Sequence, residues 1–355
     1  MLTYILRRLL LMVPTLVGMT LLLFVVIRFS PGVASGSAFA AGAEMQSTEA
    51  REEQILKIKR RLGMVDAQGQ PIPMVMQYFY WLGRTVQPEM ATFHIGTTSF
   101  KAPWIKVDLG DSMQYRKPVV NLIQERLPVT ITLNLIVTFV VYLLAIPGGM
   151  LSAARRGKGF DVGWSFSTLA MYSLPTMWIG SLLIGFLANP RYLGWFPSAG
   201  LHSTDTTNMA FFDYLRDYLW HLVLPVVVLS YGGFAYLSKQ MRASMLDNLS
   251  MDYARTARAK GLSGFVVVTR HVFRNSLLPL ITIATGIIPG LLGGSVIVET
   301  IFSIKGMGEL AYRATLARDL PVIQALGLVS GILVLFSYLI TDICYALADP
   351  RVSYD

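Results

Sequence analysis

A short stretch rich in alanine and arginine offers the most distinctive chemistry in the sequence. It reads DYARTARAKG from Asp252 to Gly261, and these residue types favour a helix. Tyr253, Ala254 and Ala257 recur at helical spacing with Gly261, so one face would present small side chains and one aromatic ring. Such a face lets another protein approach closely, with the tyrosine as an anchor. The alternative is a basic helix lying on anionic lipid, and composition alone does not separate the two.

The end of this helix is predicted at Gly261, because glycine suits the left-handed residue that ends many helices. Arg258 and Lys260 stand in the last turn, where positive charge favours the helix dipole. Together with Arg255 they are expected to meet acidic groups or lipid. A second segment should lead from Gly261 to Pro279, where the next apolar run begins.

A later apolar run carries a strip of small residues followed by one acid. Gly286, Gly290, Gly293 and Gly294 form the strip, and Glu299 follows it. Such a strip suits close helix packing, and it equally suits a backbone that faces a pore and leaves room for a solute. An ionisable residue within an apolar span is a functional candidate. We expect Glu299 near the outer end of the span, paired with a basic group at a gate.

Catalytic and metal-binding chemistry find no matching motif in the sequence. The four histidines (His94, His202, His221 and His271) are far apart, and the single cysteine, Cys344, lies in an apolar run. No Cys/His spacing therefore predicts a structural metal site. The sequence has no G-x-x-x-x-G-K-[ST] loop, so it does not bind ATP in the P-loop manner. We predict no catalytic residue, no metal and no cofactor in this chain.

The elements that position these residues are predicted to be membrane spans. Hydrophobic residues make up 54% of the chain and charged residues 14%, and the mean hydropathy is +0.53. These values are typical of a polytopic membrane protein. The net charge of +9 has no accompanying nucleic-acid-binding motif. We therefore expect no nucleic acid partner and assign the charge to cytoplasmic span ends near anionic lipid.

Six apolar stretches are long enough to cross the hydrocarbon core of a bilayer. The fourth is the weakest prediction, because it carries Pro225 and the pair Gly232–Gly233. The first could be a secretory signal peptide, but its apolar region of about 19 residues exceeds a typical signal h-region, which favours a retained helix. The six stretches are Leu9–Ile27, Pro128–Met150, Val162–Leu187, His221–Leu237, Leu277–Ile301 and Val322–Ala346.

Basic clusters in the connections predict the orientation. They lie at Arg7–Arg8, at residues 155–158 and between Lys239 and Arg274, all on one side of a six-helix zigzag. The positive-inside rule assigns that side, with both termini, to the cytoplasm. The predicted organisation is a first span in 1–31, an extracytoplasmic segment in 32–125 and a five-helix core in 126–355 with a cytoplasmic loop at 239–276.

The extracytoplasmic segment carries its own helix signal. Glu49–Leu62 has apolar residues at helical spacing among charges, and Gly69, Pro71 and Pro73 should break the helix. The aromatic stretch Val75–Leu82 either lies along the membrane interface or packs against the outer helix ends.

The stretch Asp252–Leu280 resembles the cytoplasmic coupling region of ABC-transporter permeases, and more narrowly that of the dipeptide and oligopeptide permease subunits. Two positions depart from the general permease motif: Arg255 replaces its glutamate, and the closing proline comes later, at Pro279. Both departures are usual in the peptide branch. Other segments that agree with the family are Leu62–Gly83, Asp108–Ser112, Leu127–Thr130, Ser173–Pro175, Trp195–Gly200, Gly293–Phe302, Gly306–Leu310, Arg318–Pro321 and Asp349–Arg351.

The resemblance implies an all-α integral membrane protein of type I ABC importer permease architecture, with six transmembrane helices, in the bacterial cytoplasmic (inner) membrane. Such a chain forms half of a translocation pathway for peptides or modified peptides. The implied partners are a second homologous permease subunit, two ATP-binding subunits that hold ATP and Mg, an extracytoplasmic solute-binding protein and membrane lipid. The residues implied to couple to the ATPase are Tyr253, Ala254, Ala257, Arg258, Lys260 and Gly261.

Other functions stay open from the residues alone. A permease of the same family could carry a metal chelate or an oligosaccharide. An ion-driven secondary transporter usually has midplane acidic residues and internal repeats, and the sequence shows no midplane acidic pair and no repeat. A membrane-embedded enzyme would need a nucleophile–base or metal constellation within the spans.

Overall fold

The computed structural model describes residues 2–29, 48–95, 98–206, 209–287, 290 and 293–348, which are mainly helical. Two π-helical turns occur among these residues, at Ile184–Ala188 and at Val267–Val272. The helices are α1 Leu2–Phe29, α2 Thr48–Arg61, α3 Met74–Thr85, α4 Val119–Ala154, α5 Gly159–Ser173, α6 Thr176–Leu183, α7 Phe211–Ser250, α8 Asp252–Ala259, α9 Gly264–Val266, α10 Phe273–Ser276, α11 Leu278–Thr285, α12 Val296–Ile301, α13 Met307–Leu316 and α14 Leu320–Ala348.

Four helices are long and apolar enough to cross a membrane by themselves. They are Ile5–Phe29, Val119–Ala154, Phe211–Ser250 and Leu320–Ile343. The first three contain the first, second and fourth predicted spans, and the last covers the sixth, Val322–Ala346, as far as Ile343. The prediction of a mainly helical membrane protein is therefore confirmed.

The third predicted span is broken, contrary to the single helix expected for Val162–Leu187. Helices α5 and α6 meet at an angle of 94°. Taken together, they are long and apolar enough to be a fifth candidate span. The break follows from Pro175, because the ring of a proline disfavours helical geometry in the residue before it. Leu174 accordingly adopts extended angles, φ −89° and ψ 131°.

The fifth predicted span, Leu277–Ile301, is described at its two ends by α11 and α12. Residues 288–289 and 291–292 between them lie outside the described residues. The count of six transmembrane helices therefore stays a prediction.

Helix α7 continues through the proline and glycines that made the fourth span the weakest prediction. Pro225 lies between the buried residues Leu224 and Val226, which belong to the hydrophobic core that α7 shares with α4. That packing compensates the backbone hydrogen bond that the proline removes. At 1.5 Å per residue, the 40 residues span about 60 Å. This is roughly twice the hydrocarbon core of a bilayer, so both ends of α7 extend beyond it.

A β-hairpin, which the sequence did not predict, follows α3. Strand β1, Val86–Ile95, pairs antiparallel with β2, Thr98–Val107, so that Val86 lies opposite Val107. The predicted helix Glu49–Leu62 is confirmed as α2. In the turn after it, Asp66 Oδ1 accepts hydrogen bonds from the amides of Gln68 and Gln70 at 2.9 and 2.8 Å.

The described chain forms two compact units. The larger comprises Met1–Leu6, Glu125–Tyr312 and Leu333–Asp355, and the smaller comprises Arg7–Gln124 and Arg313–Ile332. In the smaller unit α1 packs closely on the first part of α14. A Cβ atom on Gly327 would lie 2.6 Å from Leu23 Cδ2, and one on Gly331 would collide with Met19.

The aromatic stretch Val75–Leu82 packs against α1 through two of its rings, those of Tyr78 and Trp81. The hydroxyl of Tyr78 lies 2.9 Å from Thr20 Oγ1, and its ring meets Phe24 edge-on at 5.6 Å. Phe79 and Tyr80 of the same helix are exposed. Ordinary packing therefore accounts for Tyr78.

A buried carboxylate, Asp319, fastens the smaller unit. Its oxygens accept the Ser112 hydroxyl at 2.5 Å and the amides of Met113 and Gln114, both at 3.1 Å. The segments Asp108–Ser112 and Arg318–Pro321, which are far apart in sequence, thus meet at one carboxylate.

We expect Asp319→Asn to lower the stability of the chain by about 1–3 kcal/mol, because the new NH2 group would face hydrogen-bond donors. The measurement is the apparent melting temperature of the purified chain in detergent. Asp247→Asn, at an exposed position on α7, is the matched control and should stay within about 0.5 kcal/mol. Equal melting temperatures for the two variants would contradict this role of Asp319.

Candidate functional site

Helix α8 ends where the sequence predicted. Gly261 has φ +79°, and its amide donates to the Arg258 carbonyl at 2.9 Å. The amide of Leu262 donates to the Ala257 carbonyl at 3.3 Å. These two bonds are those of a Schellman motif, in which a left-handed glycine satisfies the last carbonyls of a helix.

The small-residue face of α8 is turned into the chain itself. Ala254 is 0% exposed and Ala257 is 6% exposed. Both belong to a hydrophobic core that includes Met245 of α7 and Val267 and Val272 of the π-helical turn. The prediction that these two alanines contact a partner is therefore wrong for their side chains, because this chain's own apolar residues cover them.

The outward face of α8 is polar and basic. Arg255, Arg258 and Lys260 are exposed there, and so is Tyr253. The Tyr253 hydroxyl donates to Asn248 Oδ1 at 2.7 Å, which ties the phenol to the end of α7. These exposed side chains are the ones that a partner could reach.

An apolar groove of about 520 Å³ lies beside this face. It runs between the end of α4 and the segment 264–269, with Arg258 at one edge. Phe265 lines the groove and is 77% exposed. Helix α8 therefore presents a basic surface next to an apolar recess.

An ion pair joins the helices that carry α8. Arg242 of α7 binds Asp161 of α5 with two hydrogen bonds, Nε to Oδ1 at 2.6 Å and Nη2 to Oδ2 at 2.8 Å. The same carboxylate accepts the Ser152 hydroxyl at 2.5 Å and the Gly157 amide at 2.9 Å. One buried acid thus connects the end of α4, the turn after it, α5 and α7.

Close packing reinforces that connection. A Cβ atom on Gly148 would collide with the ring of Trp164, and one on Gly149 would lie 2.6 Å from the Ser238 carbonyl oxygen. Trp164 Nε1 donates to the Ser238 hydroxyl at 2.8 Å. Two glycines of α4 therefore let α5 and α7 approach its backbone directly.

Glu299, in the larger unit, is surrounded by hydrogen-bond donors. We call the residues that contact its carboxylate the Glu299 seat. The Glu299 side chain is 0% exposed. Oε2 accepts the Glu309 amide at 2.8 Å, and Oε1 accepts the Thr130 hydroxyl at 3.2 Å and the Ser295 amide at 3.3 Å. The expected pairing with a basic residue is not found, because amides and a hydroxyl meet the carboxylate instead.

Three glycines make room for this carboxylate. A Cβ atom on Gly306 would lie 2.5 Å from Glu299 Cδ and 2.6 Å from Thr130 Oγ1. One on Gly294, which has φ +68°, would collide with Glu299 Oε1, and one on Gly308 would lie 3.1 Å from Oε2. The segments Leu127–Thr130, Gly293–Phe302 and Gly306–Leu310 thus meet at one point.

A fourth segment reaches the same region. The amide of Gly200, at φ +80°, donates to the Phe302 carbonyl at 2.8 Å. Glu309, whose amide binds the Glu299 carboxylate, uses its own carboxylate to form an ion pair with Arg126 at 2.9 Å. Four of the separate sequence segments therefore converge around Glu299.

Comparison with known proteins identifies the family of this chain. Residues 145–354 match the family model described as binding-protein-dependent transport system inner membrane component. Residues 1–134 match the model for the N-terminal part of the same transport system component. This chain belongs to that permease family. The resemblance inferred from the sequence is confirmed.

Relatives of this permease match over the whole chain. The oligopeptide transport system permease protein AppB of Bacillus subtilis is 36% identical over 354 residues, covering 100% of both chains. The inner membrane ABC transporter permease protein YejB of Escherichia coli O157:H7 is 34% identical over 365 residues, covering 99% of each. An inward-facing structure of the MetNI methionine ABC transporter has a TM-score of 0.48 and 17% identity, covering 66% of this chain and 98% of that one.

Within the part of the chain that the structure describes, the glycines of the small-residue strip differ in their surroundings. A Cβ atom on Gly290 or Gly293 would meet no atom within 4 Å among the described residues, and one on Gly286 would lie 3.4 Å from the Ile283 carbonyl oxygen. Gly294 differs from these because it belongs to the Glu299 seat. The alternative role of the strip, a backbone that faces a pore, stays a prediction.

We expect Gly306→Ala to destabilise the permease, because the added methyl group must displace the Glu299 carboxylate or Thr130. Overpacking of this kind costs about 1–3 kcal/mol. Gly163→Ala in α5 is the matched control, since a Cβ atom there meets nothing within 4 Å, and alanine favours a helix by about 0.5–1 kcal/mol over glycine. The apparent melting temperature in detergent is the readout. A Gly306→Ala variant as stable as Gly163→Ala would refute the tight seat.

Proposed function

We propose that this permease forms half of the translocation pathway of an ATP-driven importer for peptides or modified peptides. In this proposal, ATP is bound and hydrolysed with Mg in two separate subunits, and a second homologous permease forms the other half. A solute-binding protein delivers the substrate to the extracytoplasmic side. Both termini and the loop 239–276 face the cytoplasm of a bacterial cell.

The observation that carries the proposal is that one face of α8 is buried in this chain while the opposite face is exposed. Its alanine face is part of the core formed with α4 and α7, while its basic face is exposed. Because packed cores resist gradual distortion, a force applied to the outer face of α8 would move the helix as a rigid body and would not compress the core beneath it. Movement of α8 would move the cytoplasmic ends of α4 and α7 with it.

The ion pair between Asp161 and Arg242 extends this coupling to α5. Removing Arg242 would leave the buried Asp161 carboxylate without its counter-ion, which is destabilising. The pair therefore holds α5 to α7 while the bundle shifts between two arrangements. ATP binding by the partner subunits would then bias which arrangement is populated, as a ligand with differential affinity must.

Several side chains are proposed as the surface that the ATPase contacts. Tyr253 supplies an aromatic anchor, and Arg258 and Lys260 supply positive charge. The neighbouring groove with Phe265 offers an apolar recess to the same partner. Ala254, Ala257 and Gly261 act beneath this surface by fixing the position and length of α8.

Peptides are the proposed substrate class because AppB, a relative along the entire chain, bears the name of an oligopeptide permease. A metal chelate or an oligosaccharide is the alternative cargo within the family. An ion-driven mechanism is the alternative energy source. The experiments below separate these possibilities.

The function is tested by uptake in the native host after deletion of this chain. We expect the deletion strain to lose uptake of labelled oligopeptides and to recover it with the wild-type chain. Uptake should fall when ATP is depleted and should persist when an uncoupler collapses the ion gradient at constant ATP. Unchanged oligopeptide uptake in the deletion strain would refute the peptide proposal, and loss with the uncoupler alone would favour an ion-driven transporter.

The coupling surface is tested by charge reversal on α8. We expect the double variant Arg258→Glu, Lys260→Glu to reach the membrane at normal levels, because both side chains are exposed, but to co-purify with far less ATPase subunit. Lys305→Glu is the matched control, being an exposed charge reversal after α12. Wild-type recovery of ATPase with the double variant would exclude this face of α8 as the contact.

A further inference from the structure

Two imidazoles flank one carboxylate where the loop of residues 189–206 meets the start of α7. Nδ1 of His202 lies 3.4 Å from Asp217 Oδ2, and Nδ1 of His221 lies 3.4 Å from Asp217 Oδ1. Ser203 donates to the same carboxylate with its amide at 2.8 Å and its hydroxyl at 2.5 Å. We call these four residues the histidine latch.

The two histidines differ in what they connect. His221 is one turn away from Asp217 on the same helix, and its Nδ1 already hydrogen-bonds the Asp217 carbonyl at 2.8 Å. His202 is on the loop, so its approach to Asp217 joins the loop to α7. Protonation of His202 can therefore change how firmly the loop is held, whereas protonation of His221 acts within α7.

His202 is held in place but its inner nitrogen is unsatisfied. The ring stacks on Tyr214 at 4.2 Å and on Tyr218 at 5.1 Å. Nδ1 is buried and has no hydrogen-bond partner within the described structure. A buried polar atom in that state costs free energy. A protonated imidazole carries an N–H on both nitrogens and a positive charge that faces the carboxylate.

The Asp217 carboxylate is the acidic group that faces His202 Nδ1, and other charged residues lie near it. A cavity of about 320 Å³ beside Asp217 is lined by Asp213, Arg216 and Trp220. The loop itself also carries charge on both sides of His202. The charged and titratable groups on the loop and on the first three turns of α7, residues 211–221, are Arg191, Tyr192, Asp205, Asp213, Tyr214, Arg216, Tyr218 and His221, besides His202 and Asp217.

We propose that the histidine latch is a proton-sensitive fastening of the 189–206 loop, tightened when His202 gains a proton. The placement of the latch at the extracytoplasmic side rests on the proposed function and its orientation. Because the protonated form gains the carboxylate as a partner, the fastening is strengthened when His202 gains a proton and weakened when it loses that proton.

The loop is in a position to affect the core of the permease. Gly200, two residues before His202, donates its amide to the Phe302 carbonyl at 2.8 Å. Phe302 directly follows α12, the helix that carries Glu299. A firmly held loop therefore braces that element, and a released loop removes one of its supports.

The test uses a nitroxide on the loop of the full chain in lipid nanodiscs. The parent carries Cys344→Ala and Ser198→Cys, since Ser198 is exposed and Cys344 is the only native cysteine. We expect the label to become more mobile as the pH rises from about 5 to 8. With His202→Gln the pH response should be lost, although Ser203 still ties the loop to Asp217.

Two further variants complete the design. His271→Gln, on the loop 239–276, should keep the full response of the parent. Asp217→Asn keeps both imidazoles but removes the negative charge, so it should abolish the response as His202→Gln does. A response that survives in His202→Gln, or a parent that shows none, would overturn the proposal. Label mobility does not depend on transport, so failure here would leave the uptake result untouched.

Discussion

A carboxylate inside an apolar bundle must be met by hydrogen-bond donors, and Glu299 imposes this condition on the larger unit. An unpartnered buried charge would cost far more than the few kcal/mol by which most proteins are stable. The donors come from Thr130 on α4 and from the amides before α12 and at the start of α13. The chain must bring those segments together to bury the acid at all. The glycines at 294, 306 and 308 follow from the same condition, because a side chain at any of them would occupy the space of the carboxylate.

Much of the helical layout could be predicted from apolar runs, whereas the partners of single residues could not. Gly261 was recognisable as a helix end, because left-handed geometry favours glycine. The 94° break was missed although Pro175 carried its signal, because hydropathy alone ignores backbone geometry. The hairpin was not predicted because its strands contain Pro88 and Pro103, and proline is uncommon inside strands. The Glu299 seat consists largely of backbone amides, which have no signature in a side-chain pattern.

The small-residue face of α8 shows that sequence periodicity predicts which residues share a helix face but not which surface that face will contact. Small residues at helical spacing allow close approach by any surface, and the nearest apolar surface belonged to the chain itself. Burying Ala254 and Ala257 against Met245 and the π-helical turn orients α8 before any partner binds. A preoriented helix loses less entropy on docking than a mobile one. The internal packing and an exposed partner surface are thus complementary uses of the two faces of one short helix.

The two ends of α7 are held by different chemistry, and this difference bears on how a permease could be driven. Near its C-terminal end, Arg242 binds Asp161 with two charge-assisted hydrogen bonds, and arginine keeps its charge at any physiological pH. Near its N-terminal end, Asp217 meets two imidazoles, which are side chains able to gain or lose a proton. The ion pair next to α8 therefore keeps its charge and is suited to passing on force. The opposite end can be loosened without disturbing it, because the 25 residues from Asp217 to Arg242 place these groups about 38 Å apart along α7, and a Debye length at physiological salt is only about 8 Å.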